Sequence, residues 1–128
     1  MTTNFDAYLQ FIKSVISDNS NDFEAYLQRM LDLHNQGCSI EKLDTAFTAM
    51  ASESGEALDL VKKIKFQNKP WNTENIEKLK KELGDIIFYW TWACHALNVN
   101  PNDVIQENQE KLSNRYPTGF SAERSENR

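Results

Sequence analysis

Two short acidic motifs lie in the middle of the chain. Glu53-Ser54-Gly55-Glu56 and Glu82-Leu83-Gly84-Asp85 each set two carboxylates three positions apart, with a glycine before the second acid. Residues three apart on a helix share a face, so each motif presents a pair of negative charges in one direction. Two such helices side by side would gather four carboxylates into one space, where their mutual repulsion calls for cations. An all-oxygen, all-acid donor set suits hard divalent ions such as magnesium or manganese. Zinc fits less well, because Cys38, Cys94, His34 and His95 have no ligand spacing. A di-iron bundle needs Glu-x-x-His, and the residues three before His34 and His95 are Leu31 and Trp92.

Most Glu-x-x-Glu pairs are ordinary solvated acids, but two features besides that repulsion weigh against it here. A glycine inside a helix costs roughly 1 kcal/mol against alanine, and two of the chain's four glycines sit at the same place in the two motifs; close helix approach is the expected reason. Asp85 is followed directly by Ile86-Ile87-Phe88-Tyr89-Trp90, and an acid on a largely buried helix needs a partner. The nearby cations that would otherwise serve are Lys62, Lys63 and Lys65.

The elements that must position these acids are helices. Apolar residues recur at spacings of three and four, and glycine and proline are scarce at 4 and 3, so the pattern predicts an all-α fold, a small bundle of about five helices. The first runs from about Asn4 to Ser17 and is broken by the polar run Asp18 to Asn21. The second starts at Asn21, with Glu24 completing a capping box, and stops at Gly37. The third covers about Ser39 or Ile40 to Ile64, with Leu43, Phe47, Met50, Ala57, Leu58 and Val61 expected inward. A loop through Pro70 follows. Thr73 is the expected cap of the fourth, Glu74 to Leu97, and Pro101 opens the fifth, which ends near Asn114. The polar segment from Ser121 onward is expected to be a loose tail.

The fourth helix is apolar nearly all the way round between Glu82 and Leu97. A helix in a small monomer normally shows one face to water, so its second cover is expected from another copy of the chain. A homo-oligomer, dimer or tetramer, packed through this helix follows. With 128 residues the chain reads as one domain, residues 1–40 being an N-terminal helical extension. A net charge of -5 and a pI near 5.0 give no reason to expect a nucleic acid or an anionic membrane as partner. The longest apolar stretch, Ile86 to Leu97, falls short of the roughly 20 residues that span a bilayer. The first residues lack the basic-then-apolar order of a secretory signal. Two isolated cysteines suit reduced thiols, and the chain is read as cytoplasmic.

These blocks resemble the MazG-type nucleotide pyrophosphohydrolases of the all-alpha NTP pyrophosphatase superfamily, which is marked by Glu-x-x-Glu, a spacer and Glu-x-x-Asp. Met50 to Asp59, followed by Lys62-Lys63, resembles the first acid segment. Glu82 to Trp90 resembles the second, and Asn108 to Phe120 the closing Asn-x-x-Lys-Leu, Arg-Tyr-Pro and Gly-Phe elements. The resemblance implies a metal-dependent hydrolase that splits nucleoside triphosphates, NTP or dNTP, into monophosphate and pyrophosphate. It implies magnesium, with manganese as substitute, held by Glu53, Glu56, Glu82 and Asp85. Glu53 or Glu56 is the expected acceptor of the attacking water's proton. Lys63, Lys111 and Arg115 are candidates for phosphate contacts, Asn108 shares the face of Lys111 and Arg115 on the last helix, and Tyr89 lies one turn after Asp85. Each has a plainer alternative: Lys63 could pair with Asp59, and Tyr89 or Trp71 could serve packing. The alternatives are the same fold specific for dUTP, dCTP or phosphoribosyl-ATP, and a non-catalytic helical assembly module.

Overall fold

The computed structural model describes residues 4–127. Among them the structure is all-α. Five longer helices, α1 (Phe5–Val15), α3 (Phe23–Asn35), α4 (Ile40–Phe66), α5 (Thr73–Leu97) and α6 (Pro101–Arg115), are joined by the short α2 (Asp18–Asn21) and α7 (Ala122–Glu126). No helix of the described residues is long and apolar enough to cross a membrane. The chain divides into two compact units, Met1–Ile40 and Glu41–Arg128.

In the first unit the polar run after α1 does not simply break the helix but forms the single turn of α2. The cap of α3 is Asp22, not Asn21: its carboxylate accepts from the Ala25 N–H at 3.0 Å. Gly37 ends this helix as expected. It takes φ +85°, which a side chain resists, and lets the Cys38 N–H reach the Leu33 carbonyl at 2.9 Å.

The second unit holds α4 to α7. The start of α5 is capped by Asn72 one residue before the expected Thr73, its Oδ1 accepting from the Asn75 N–H at 3.0 Å. Asn100 caps α6 in front of Pro101, accepting from the Asn102 N–H at 2.9 Å. The segment expected to be a loose tail instead carries α7, which Ser121 caps and which Arg124 ties to the end of α6.

The inward stripe of α4 is not the expected one. Phe47, Leu58 and Val61 are exposed, whereas Ala46 is buried and Met50, Glu53, Ala57, Leu60 and Ile64 are half-buried. On α5 the corresponding stripe is Asn75, Leu79, Glu82, Ile86, Trp90 and Ala93, with Leu83, Ile87, Phe88 and Trp92 exposed on the other side. Steps of three and four residues generate both stripes. Each therefore carries one glutamate in a row of otherwise mostly apolar positions.

Candidate metal and phosphate site

The turn between α4 and α5 brings the acids together. Asn68 takes φ +55°, and the Lys69 N–H reaches back to the Lys63 carbonyl at 3.2 Å. Asn75 is only 2% exposed, and its amide donates to the Pro70 carbonyl at 2.6 Å. Sequence reasoning missed this residue. Its signal was a polar side chain three positions after a cap and in register with Leu79, Glu82 and Ile86 on the inward stripe. The turn sends α5 back along α4: Glu53 lies beside Glu82 and Asp85, while Lys42, near the start of α4, stands 5.6 Å over the Trp92 ring near the end of α5.

Carboxylate oxygens of Glu53, Glu82 and Asp85 lie within 4.8 Å of one another. The two motifs contribute unequally. The first acid of each, Glu53 and Glu82, points along the half-buried stripe, whereas the second, Glu56 and Asp85, is exposed. Asp85 still reaches the cluster. Glu56 stands outside that trio but within hydrogen-bonding reach of the Glu53 side chain.

Electrostatics record this crowding. The Glu53 carboxyl is pushed above the usual glutamate range, first by its hydrogen bond with Glu82, then by burial and by the charges of Glu82 and Asp85. Its contact with Glu56 works the other way. Glu82 Oε2 is buried without a hydrogen-bond partner. A buried carboxylate oxygen with no partner is costly, and a cation among these oxygens would supply what is missing. The residues thus fit a hard divalent ion. No lysine or arginine substitutes for one: the ion pairs among the described residues are Asp59 with Lys62 and Lys63, Glu74 with Lys78, and Glu77 with Lys80.

Neither motif glycine serves close approach within this chain, contrary to the expectation. A methyl group added at Gly55 or Gly84 would meet no heavy atom within 4 Å. Both positions open onto space outside the chain. Gly84 lines an apolar hollow on α5 with Ile87, Phe88, Thr91, Trp92 and His95.

The other candidates are distributed around α4 to α6. Lys63 pairs with Asp59 at 2.7 Å, and Lys62 joins the same carboxylate at 3.2 Å. Together these lysines, Lys63 foremost, hold Asp59 below the usual aspartate range. Tyr89 is half-buried and packs edge-on against Phe88, ring centres 5.0 Å apart. Asn108 and Lys111 are exposed on α6, and the Arg115 guanidinium lies 5.9 Å from the centre of the Tyr116 ring. Among the described residues no hydrogen bond or ion pair joins these α6 side chains to the acids. Trp71, in the turn, is exposed.

An all-helical chain with facing carboxylates on two antiparallel helices defines a class of proteins built around a metal-fitting acid cluster. The family model for the MazG nucleotide pyrophosphohydrolase domain matches residues 41–120, and the chain belongs to that family. A curated relative, the Gene 37 protein of Mycobacterium phage L5, is 33% identical over 91 residues, covering 70% of this chain and 80% of the phage protein. No solved structure matches. The family match begins at residue 41, where the second unit begins.

Proposed function

We propose that the chain hydrolyses nucleoside triphosphates to the monophosphate and pyrophosphate, with magnesium, or manganese in its place, held by Glu53, Glu56, Glu82 and Asp85. The observation that carries this reading is the convergence of three carboxylates within 4.8 Å, one of them keeping a buried oxygen without a partner. Such a cluster repels a triphosphate unless positive charge stands between them. Bound there, the ion supplies that charge and lowers the pKa of the attacking water.

The chain's own groups divide the remaining work. Glu53, Glu82 and Asp85 form the preassembled part of the cradle. Glu56, exposed and against Glu53, completes it from the open side. Glu53 and Glu56 are the carboxylates proposed to orient the water and accept its proton. Lys63 contacts phosphate by sharing its ammonium between Asp59 and the substrate. Asn108, Lys111 and Arg115 offer an amide, an ammonium and a guanidinium on one face of α6, the last suited to a phosphate's paired oxygens. Tyr89, one turn beyond Asp85, borders the nucleotide.

The proposed working form is a homo-oligomer, dimer or tetramer, joined through α5. Leu83, Ile87 and Phe88 are 60–67% exposed, and Gly84 opens a notch one turn before Phe88. Knob and notch on one helix suit a two-fold contact in which each copy fills the other.

The test is a panel of NTPs, dNTPs and modified nucleotides incubated with magnesium and scored for pyrophosphate against phosphate. Pyrophosphate with the monophosphate is the expected pair, and release of single phosphate would replace this reaction with another. The same panel separates a broad activity from one confined to dUTP, dCTP or phosphoribosyl-ATP.

A further inference from the structure

The family match ends at residue 120, yet the chain beyond it folds back onto α6. Arg115 is the last residue of α6, and its carbonyl is among those a helix leaves without an internal partner. Arg124 fills that vacancy: its Nη1 donates to the Arg115 carbonyl at 3.1 Å across nine positions of sequence. A guanidinium at this end of a helix also meets the negative pole of the helix dipole.

The loop that Arg124 closes is braced from inside. The Tyr116 N–H reaches the Leu112 carbonyl at 2.8 Å, and the Gly119 N–H reaches the Tyr116 carbonyl at 3.2 Å. The rings of Tyr116 and Phe120 lie 5.6 Å apart, Gly119 takes φ +104°, and Ser121 caps α7 by accepting from the Arg124 N–H at 3.4 Å. Arg115 and Arg124 then line one hollow with Glu123 and Asn127. Because Glu123 lies in the same hollow, a simple surplus of positive charge is not what Arg124 adds.

We propose that Arg124 is a positioning residue for nucleotide binding, which by fixing the last turn of α6 holds the Arg115 guanidinium ready for the substrate's phosphates. Helix ends fray when their carbonyls go unmet, and a frayed last turn would leave Arg115 without a fixed direction. This rests on the reading of Arg115 as a phosphate contact.

The experiment is a kinetic double-mutant cycle on the full chain with Arg115→Ala, Arg124→Ala and both together, measured with a hydrolysed triphosphate and magnesium. The expectation is a several-fold rise in KM for Arg124→Ala with kcat retained, recovery in Arg124→Lys, which keeps a charged donor, and no additional rise when Arg124→Ala is added to Arg115→Ala. Ser121→Ala, which weakens the start of α7, should move KM in the same direction by less. A rise in KM for Arg115→Ala with none for Arg124→Ala would overturn the positioning role alone. No rise for either would overturn the phosphate contact itself, and the proposal with it. A fall in kcat matched by loss of helical signal would reduce Arg124 to a stabiliser of the fold, which also overturns it.

Discussion

Glu53 and Glu82 face one another from the inward stripes of two antiparallel helices, close enough to share a hydrogen bond, and Glu82 keeps one oxygen buried with no partner. Positions on such stripes normally hold apolar side chains. Two facing carboxylates there are costly when both are charged, and on the proposed function a bound cation would relieve them both.

The sign of the Glu53 shift makes this testable. Its carboxyl binds a proton more readily in the folded chain than in the unfolded one, so its contribution to stability is complete at low pH. That contribution is lost as pH rises through the raised value. Magnesium needs the deprotonated form. The rise in Tm on adding magnesium should therefore be several degrees at about pH 8 and shrink at acidic pH, as the carboxyl takes up its proton. Glu53→Gln should raise the metal-free Tm at the higher pH and abolish the response to magnesium. Scanning fluorimetry at the two pH values checks both.

The inequality of the two motifs predicts unequal mutants. Glu53→Gln, Glu82→Gln and Asp85→Asn should each weaken or remove metal binding and lower turnover with it. Glu56→Gln should retain much of the metal affinity while lowering kcat by roughly 10²–10⁴-fold, the range of a lost general base. Paired metal titrations and pyrophosphate assays on the four variants separate the two patterns.

Lys63 has two claims on it. Asp59 stays ionised through the neutral range beside Lys63 and Lys62, and if Lys63 contacts the substrate as proposed, Asp59 competes with phosphate for the nearer ammonium. Lys63→Ala should raise KM. Asp59→Asn should lower it by about two- to fivefold, the scale of an exposed ion pair. Steady-state kinetics showing no change in either would assign Lys63 to the ion pair alone.

The exposed side of α5 predicts association. Light scattering at micromolar concentration should give a mass that is a multiple of 14.8 kDa. Phe88→Glu, which sets a charge beside the Gly84 notch, should shift the mass to that of a single chain. A wild-type mass of one chain would contradict assembly through this helix.

Much of this architecture was legible in the residues. The acids at spacing three, the stop at Gly37 and the cap-and-proline start at Asn100-Pro101 each act through local chemistry that a sequence displays. The inward register was not. Both Glu53 and Glu82 lie in the stripes, and a search for apolar faces passes over glutamates, so Phe47, Leu58 and Val61 took the place of Ala46, Leu60 and Ile64. Asn75 escaped for the same reason. The role of α7 was hidden because Arg124 acts on a backbone carbonyl nine residues away, which composition makes look like an unstructured polar tail. The open space over Gly55 and Gly84 shows the reverse case, a correctly noted cost for which the expected close helix approach is not found within the chain.

Manganese binding followed by electron paramagnetic resonance, on wild-type protein and Glu82→Gln side by side, tests the facing carboxylates as one metal site most directly. Wild-type protein should take up the ion, and Glu82→Gln should bind it roughly 10- to 100-fold more weakly or not at all. Equal affinity in the two proteins would mean that the acids of α4 and α5 do not form a common cradle.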